Sequence, residues 1–474
     1  MSRRGTVLLA VLVLTAMAAM LAGSLMFRMR AETAAAANGA GAEQAYAAAM
    51  SGVERAMAIL RTAAGDREQW FDNPVLLSDQ LVFDDGATAW YFTVYAENPD
   101  EPGTMRFGLT DESGKLNLNV ANERQLAALP SVTTEQVDSL LDYRDQDSQP
   151  RPEGAEQDYY DRLANPYLIK NGPLATVEEL LLVKGFGAAA VYGEDVNLNG
   201  TLDSGEDDGD RSFPYHDNGD GQLDRGLKSM LTVFSYEPNT ASDGQNRINL
   251  NGDLRGLESV GLPEQAVQLI QAYRADGNTF THPADLLEMT YRSQGGAGSD
   301  GGRRGRSRRG GGGEGEELRS GVGATELAMV LDRLTTRPAG SQGAAFGRVN
   351  VNTASVEVLT AALTGVVEDA ASLARRIIEA RAEQTDEDLQ TIAWLYAGDV
   401  VNADTFKKIA PFLTARGYQF SLRCVGFSPA TGRFRAVEAV VDLGKGEPRI
   451  VYLRDITRLG RPLSLAGPGS ARAP

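Results

Sequence analysis

Cysteine and histidine are almost absent from this chain of 474 residues, which contains one cysteine, Cys424, and two histidines, His216 and His282. One cysteine excludes an internal disulfide framework, and two isolated histidines leave little material for a histidine-based triad or a zinc site. Positive charge is outnumbered, since 46 lysines and arginines face 64 acidic residues and the formal net charge is -18. Such a surface repels nucleic acid and attracts cations. We therefore predict that the protein is not an enzyme and does not bind nucleic acid.

The N-terminus contains a long apolar run. Residues 6–27 carry no charge, between Arg3 and Arg4 on one side and Arg28 on the other. At about 1.5 Å per residue this run spans roughly 33 Å, enough to cross a bilayer. A secretory signal peptide is the alternative, but its apolar region is usually about 7 to 15 residues long. The run therefore predicts a transmembrane helix, although arginines at both ends leave its orientation open.

The helical pattern continues beyond the apolar run to about Leu60. No proline interrupts it, and Tyr46, Met50 and Val53 recur at spacings of three and four residues. This spacing predicts one long helix, with one half in the membrane and the other half packed on a domain.

A short basic leader that ends at Gly5 and is followed directly by such a helix resembles the type IV prepilin signature. The resemblance implies that prepilin peptidase cleaves between Gly5 and Thr6 and that the apolar run is kept. Most such subunits carry glutamate at the fifth mature position, where this chain has Ala10. In the family, the carboxylate of this glutamate is expected to pair with the amino terminus of the neighbouring subunit. A subunit with alanine there cannot make this pair, and a subunit with no neighbour above it does not need it.

One pattern occurs three times, beginning with "KLNLN" at Lys115, "RINLN" at Arg247 and "RVNVN" at Arg348. Each copy predicts a short extended segment, a helix, a tight turn and a second helix that ends at an arginine. The pattern resembles helix-hairpin-helix motifs, which often bind DNA through glycine-rich hairpins that contact phosphate. The hairpins here, "PSVTTE", "VGLPEQ" and "TGVVED", lack paired glycines and carry acids. We therefore predict packing modules.

Residues 142–187 contain "YRDQD", "GAEQDYY" and "KNGPLATVEELLLVKG". In this order the motifs resemble general secretion pathway protein K, the large minor pseudopilin of type II secretion systems. The resemblance implies a subunit that caps the periplasmic pseudopilus and supports its assembly and protein export. It implies as partners two other minor pseudopilins in a heterotrimeric tip, the major pseudopilin, prepilin peptidase, and secreted cargo or the outer-membrane channel. The implied location is the inner membrane, crossed once, with the globular part in the periplasm.

The expected fold is therefore α+β, a type IV pilin-like fold with a long N-terminal helix on an antiparallel sheet and a large inserted helical domain. We predict a leader at 1–5, the long helix at 6–62 and the first β region at 63–118. The inserted helical domain follows at 119–292, and the third repeat occupies 324–416. The last β strands lie at 417–460 and a disordered tail at 461–474. The exposed half of the long helix should contact partners, and Tyr46, Met50 and Val53 are the residues chosen to test this.

Residues 293–323 are rich in glycine and arginine, for example "GGRRGRSRRGGGG". No core can form from this composition, which predicts a flexible linker. Glycine-arginine tracts also bind nucleic acid in other proteins. We favour a solvated loop whose charge offsets the acidic surface.

Residues 195–206, "DVNLNGTLDSGE", match the calcium-binding loop of EF-hands. That loop places oxygen ligands at positions 1, 3, 5, 7, 9 and 12 and glycine at position 6. The sixth position here is Gly200, and the ligand positions are occupied by Asp195, Asn197, Asn199, Thr201 through its carbonyl, Asp203 and Glu206. The following residues are not helical, which favours a structural Ca²⁺ over a signalling one.

A second acidic stretch begins at His216, "HDNGDGQLDRGL", and matches the loop less well. Asp217, Asp220 and Asp224 could bind calcium in another arrangement, or the stretch could be a set of turns built on Asn-Gly and Asp-Gly. In either case the acids between Glu194 and Asp224 repel one another, so a divalent ion should neutralise and crosslink the segment.

Two functions compete with the pseudopilin prediction. One is a membrane-anchored helix-hairpin-helix protein that binds DNA in an uptake apparatus, and the other is a secreted calcium-dependent enzyme. Binding of DNA at near-physiological salt would identify the first. Removal of the whole apolar run from the mature protein would identify the second, because prepilin peptidase leaves Thr6 as the first residue.

Overall fold

The computed structural model describes residues 3–86, 88–99, 101, 103–209, 211, 217–292, 317–338, 343–460 and 462. Most of the predicted linker, His216 and nearly all of the predicted tail lie outside the described residues.

The first element is a single helix of 61 residues, Arg3–Ala63, called α1 below. Its composition is dominated by alanine, leucine and methionine, which are strong helix formers, and it contains no proline. Large apolar side chains in its first half are exposed, for example Leu8 at 74% and Met20 at 75%. Its second half instead packs on a sheet, as the sequence predicted. Alanines 45, 48, 49 and 56 are buried there.

The sheet is antiparallel and is assembled from both ends of the chain. Its long strands are β1 (Gln80–Asp84), β2 (Ala89–Glu97) and three C-terminal strands, Gln419–Ser428, Arg433–Asp442 and Arg449–Asp455, paired in that order. Two short strands, Met105–Arg106 and Thr110–Asp111, attach to its margin. The central pairing places Cys424 opposite Val94. The long helix on this antiparallel sheet confirms the pilin-like α+β class predicted from the sequence.

Glycines allow α1 to approach the sheet closely. A Cβ on Gly426 would lie 2.1 Å from the carbonyl oxygen of Ala45 and 2.3 Å from the amide nitrogen of Ala49. A Cβ on Gly52 of the helix would lie 2.3 Å from Sγ of Cys424. Cys424 is fully buried at this contact. It therefore acts as a small apolar core residue, as predicted.

Between the two halves of the sheet lie the three repeats, which share one local geometry. Each starts with a two-residue strand: Leu116–Asn117, Ile248–Asn249 or Val349–Asn350. Each of these strands pairs in parallel with a two-residue strand further along the chain: Leu231–Thr232, Leu334–Thr335 or Leu413–Thr414. The two helices of each repeat follow the first strand. They are Glu123–Ala127 with Thr134–Arg144, the 3₁₀ turn Leu257–Val260 with Glu264–Ala275, and Val356–Leu363 with Ala370–Arg381.

The asparagines of the "NxN" segments organise these turns. In each repeat the side-chain oxygen of the first asparagine accepts a hydrogen bond from the backbone N–H of the second, at 2.9, 2.9 and 3.0 Å. The second asparagine then binds backbone groups of a distant loop. Asn119 contacts Leu174, and Asn251 contacts Phe280 in the same way. An amide side chain is suited to this because it donates and accepts at once.

The arginine that ends each repeat is used inside the fold. Arg144 donates to the carbonyl oxygens of Leu118 and Ala121, and Arg381 donates to that of Ala354 at 2.7 Å. Arg274 likewise donates to the carbonyl of Asn251 at 2.9 Å. These arginines tie the end of the second helix to the start of the repeat. The repeats are therefore built as packing modules.

The first and third repeats share one large hydrophobic core, and the second repeat has its own. The remaining helices are short: Arg67–Trp70, Pro74–Leu77, Gln157–Tyr160, Ala188–Tyr192, Ala324–Arg333, Trp394–Ala397 and Ala403–Ile409. The remaining strands are Tyr236–Glu237, Thr290–Arg292, Glu317–Arg319 and Ala345–Phe346.

Two sequence predictions need correction. The predicted linker ends too late, because Glu317–Arg319 pairs with Thr290–Arg292 and Val322 is buried in the core of the second repeat. The three helix residues proposed for partner contact do not lie on the exposed half: Val53 is fully buried, and Tyr46 and Met50 pack against the core between α1 and the sheet. Helical periodicity identified an apolar face, and the protein's own sheet covers it.

The glycine contact yields a stability prediction. Gly426→Ala should lower the free energy of unfolding by about 3 kcal/mol or more, because its methyl group would overlap helix backbone that cannot move aside. Gly39→Ala is the matched control, since a Cβ there meets nothing within 4 Å and should favour the helix slightly. Thermal unfolding of the full chain in detergent measures both. An unchanged midpoint for Gly426→Ala would contradict the observed helix position.

Candidate functional site

The predicted calcium loop folds back on itself through its own side chains. The carboxylate of Asp195 accepts hydrogen bonds from the backbone N–H groups of Asn199 and Gly200, each at 2.9 Å. The carboxylate of Glu206 accepts from Val196 at 3.0 Å and from Asp203 at 3.2 Å. The first and last predicted ligand positions therefore close the same ring of residues.

The polar side chains of the loop are turned toward one another. One carboxylate oxygen of Asp203 accepts from the side-chain amides of Asn197 at 2.7 Å and Asn199 at 3.0 Å. The side-chain oxygen of Asn199 accepts from the N–H of Thr201 at 2.7 Å. Gly200 has φ of +75°, which glycine adopts without strain. The sixth position therefore needs glycine, as the loop pattern requires.

Burial disfavours the charged form of two acids in this loop. Burial, helped by the charges of Asp195 and Asp203 and opposed by backbone hydrogen bonds, raises the pKa of Glu206 to about 7. Burial also raises the pKa of Asp195. Asp195 and Glu206 are buried and Asp203 beside them is exposed. An all-oxygen set of mutually repelling carboxylates suits a hard divalent cation. The donor types are those that calcium prefers, but the structure does not gather the three carboxylates as one group within 4.8 Å, and calcium at this loop remains a prediction.

The loop lies against the sheet. Arg423 of the first C-terminal strand donates to the carbonyl of Leu198 at 2.7 Å. A Cβ on Gly200 would lie 3.1 Å from the Cα of Glu97 on β2. The loop thus contacts both central strands.

The second acidic stretch is organised by Glu194. Its two carboxylate oxygens accept from the backbone N–H groups of Asn218 and Asp224, each at 3.1 Å. Asp217 binds the N–H groups of Gly209 at 2.8 Å and Gly219 at 2.7 Å. The structure does not bring Asp217, Asp220 and Asp224 together as one carboxylate group within 4.8 Å. The second calcium site remains a prediction.

Another acidic group was missed by the sequence analysis. Oxygens of Asp145, Asp147 and Glu156 lie within 4.8 Å of one another and could hold a metal ion. Glu156 is 5% exposed, and neither of its carboxylate oxygens has a hydrogen-bond partner among the described residues. Burial, together with the charges of Asp142, Asp145 and Asp147, raises its pKa to about 7. The sequence did contain a signal for this group, because the stretch "DQDSQPRPEGAE" has acids at positions 1, 3 and 12, as calcium-binding loops do.

A buried ion network joins the repeats to the sheet. Glu438, on the second C-terminal strand, contacts Lys228 at 3.0 Å and Arg423 at 3.5 Å. Lys228 also contacts Glu178 at 2.7 Å, and Arg454 of the third C-terminal strand contacts Glu178 at 2.9 Å. These ion pairs therefore hold the inserted residues, which supply Glu178 and Lys228, against the C-terminal strands of the sheet.

The first half of α1 meets the requirements for a membrane span. From Val7 onward the helix is long and apolar enough to cross a bilayer, and none of its most apolar window is buried in the protein. A long apolar helix whose other half packs on an antiparallel sheet defines a pilin-like protein. The hydrophobic helix is consistent with membrane anchoring of the pilin kind.

Comparison with known proteins finds a similar family for part of the chain. Residues 114–192 match the family model of "Type II secretion system (T2SS), protein K". The type II secretion system protein K of Pseudomonas aeruginosa is 29% identical over 199 residues, or 38% of this chain, and the match spans 57% of that protein's length. The predicted resemblance to type II secretion system protein K is confirmed over this part of the chain, and the match spans little more than half the length of the curated relative.

The crystal structure of the GspK–GspI–GspJ complex from the enterotoxigenic Escherichia coli type 2 secretion system is also similar, with a TM-score of 0.43 and 14% identity. The match covers 90% of this chain and 99% of the other.

The ion network predicts how stability depends on pH. Burial alone would raise the pKa of Glu438, but Lys228 and Arg423 outweigh it and hold this pKa at about 2. The stabilisation is therefore fully present above the ordinary glutamate pKa of about 4.5 and is lost as the pH falls toward 2. Glu438→Gln should cost about 3 kcal/mol near pH 6, and this difference should shrink steadily below pH 4.5.

Urea unfolding of both proteins from pH 6 to pH 3 measures this difference. Glu447→Gln, whose side chain is 81% exposed, is the control and should show a small difference that changes little with pH. A Glu438→Gln difference that stays constant over the same range would contradict the assignment.

Proposed function

We propose that this protein is a minor pseudopilin that caps the tip of a type II secretion pseudopilus and supports its assembly and protein export. The role is structural and not enzymatic. The observation that carries the proposal is the insertion of residues 112–418 between β2 and the first C-terminal strand of a pilin-like sheet. We interpret this insertion as a large helical domain with helix-hairpin-helix-like repeats. Its bulk would clash with a subunit stacked above, so the subunit can end a filament.

The proposed location is the inner membrane, crossed once by the apolar half of α1, with the globular part in the periplasm. Cleavage by prepilin peptidase between Gly5 and Thr6 would leave the apolar run in place. Ala10 supports the terminal position, because a neutral side chain there cannot neutralise the amino terminus of a neighbouring subunit.

We propose that the partners are two other minor pseudopilins in a heterotrimeric tip, together with the major pseudopilin below. The complex of the similar solved structure joins GspK with GspI and GspJ. The tip is proposed to contact secreted cargo or the outer-membrane channel. A DNA-binding role has less support, because the terminal arginines of the repeats bind backbone carbonyls.

Processing and position test the function directly. The N-terminus of the mature protein should begin at Thr6, as read by mass spectrometry of protein from cells that contain prepilin peptidase. Gold labels on the globular part should lie at one end of isolated pseudopili. Labels spaced regularly along the shaft would rule out a cap.

Partner contact is proposed for the face of α1 that the sheet leaves uncovered, which includes Glu43, Ala47 and Glu54. Ala47→Arg should leave the melting temperature unchanged and abolish co-purification with the other minor pseudopilins, because a long charged side chain would separate helices that must pack closely. Ala127→Arg, at an exposed alanine of the first repeat, is the matched control and should retain the complex. Retained assembly with Ala47→Arg would contradict this surface.

A structural Ca²⁺ is proposed for the loop ligands Asp195, Asn197, Asn199, Thr201, Asp203 and Glu206. The buried acids of this loop support the proposal, since a divalent ion would offset their repulsion and join the loop to both central strands. Asp217, Asp220 and Asp224 are a second, weaker candidate. Calcium binding would then add to the free energy of unfolding.

Chelation tests the calcium proposal. At a hundredfold excess over Kd, calcium should raise the free energy of unfolding by about 2.7 kcal/mol relative to EGTA. Glu206→Gln should remove most of this increase, because it deletes the ligand at position 12, whereas Glu258→Gln, at an exposed site, should keep it. An equal calcium effect in Glu206→Gln would place the ion elsewhere. No effect in the unmodified protein would remove the proposal.

A further inference from the structure

A small cavity of about 50 Å³ lies where the second repeat meets the third. Its charged lining comprises Arg247, Arg337, Arg348, Arg416, Glu237 and Asp332. Four guanidinium groups thus face two carboxylates, a local surplus of two positive charges in a chain whose net charge is -18.

Both lining carboxylates are already engaged. Glu237 contacts Arg247 at 2.8 Å and Arg348 at 3.1 Å. Asp332 contacts Arg416 at 2.5 Å and accepts from the hydroxyl of Ser242 at 2.7 Å. The surplus of positive charge is therefore not offset by the acids that line the cavity.

His282 adds a donor to the same cavity. Its Nδ1 accepts a hydrogen bond from the backbone N–H of Ala284 at 3.2 Å, so a neutral ring carries its proton on Nε2. Burial, together with the charge of Arg348, lowers the pKa of His282 to about 3, so the ring is neutral at physiological pH. The Nε2–H then lies 3.4 Å from Nη2 of Arg348, which also carries only donors. Two donors face each other and lack an acceptor between them.

Two further donors nearby have no acceptor. Nε of Arg348 and Nη1 of Arg416 are buried and lack a hydrogen-bond partner among the described residues. Buried donors are nearly always satisfied in native proteins, and a charged donor left unsatisfied is costly. Several donors and a net positive charge therefore converge where the lining offers too few acceptors.

We propose that this cavity binds a small inorganic anion, held by His282, Arg348 and Arg416. One anion would supply both the missing negative charge and acceptor atoms for donors on different sides. The volume accommodates a halide or one tetrahedral oxyanion such as sulfate. The bound anion would join the loop at His282, which follows the second repeat, to Arg348 at the start of the third and to Arg416 beside the first C-terminal strand.

The test is thermal unfolding of the full chain in detergent with sodium sulfate or sodium chloride, at ionic strength held constant with sodium gluconate, an anion too large for the cavity. The melting temperature should rise saturably by about 3 °C at a hundredfold excess over Kd. A rise with sulfate alone identifies an oxyanion site, and a rise with chloride alone identifies a halide site. No rise with either anion would overturn the proposal.

Variants locate the site. Arg348→Gln should abolish the rise, and Arg337→Gln, which removes a lining charge that pairs with neither carboxylate, should weaken it at least tenfold in apparent Kd. Arg255→Gln, at a side chain 92% exposed on the second repeat, should leave it unchanged. If Arg348→Gln does not fold, two other measurements test the site. They are the apparent Kd of Arg337→Gln and a calorimetric titration of the unmodified protein with sulfate and with chloride. An unaltered apparent Kd in Arg337→Gln would overturn the location.

Discussion

The pairing of β2 with the first C-terminal strand is the constraint on which the rest of the structure depends. It joins residue 94 to residue 424, and everything between those strands must leave the sheet and return to it. Closing so long a loop costs conformational entropy, although that cost grows only slowly with loop length. The inserted repeats offset it with cores of their own, and the partly buried ion pairs of Glu178, Lys228 and Glu438 attach them to the sheet.

The same pairing sets the position of α1. The helix approaches the sheet closely enough that Gly426 has no room for a side chain. A helix fixed in this way projects its exposed apolar half in one direction, away from the globular part. The steric argument for the proposed filament cap depends on this arrangement, since the inserted residues and the exposed apolar half of α1 are attached to the same sheet.

Each of the inserted repeats closes on itself. The asparagines fold the entry strand, and the terminal arginine returns the second helix to that strand. In each repeat the terminal arginine thus binds carbonyl oxygens within the same repeat, which supports its interpretation as a packing unit.

The sequence by itself determined the long helix, the strands, the repeats and the resemblance to type II secretion system protein K, because each depends on local spacing or on an ordered set of motifs. It also placed glycine at the sixth position of the loop at 195–206, where the structure requires a positive φ. Only the tertiary structure decided which face of α1 is covered, since periodicity shows that Val53 lies on an apolar face and cannot show what packs there. The grouping of Asp145, Asp147 and Glu156 and the cavity around Arg348 were likewise decided by folding, because burial and charge surplus arise only when distant segments meet.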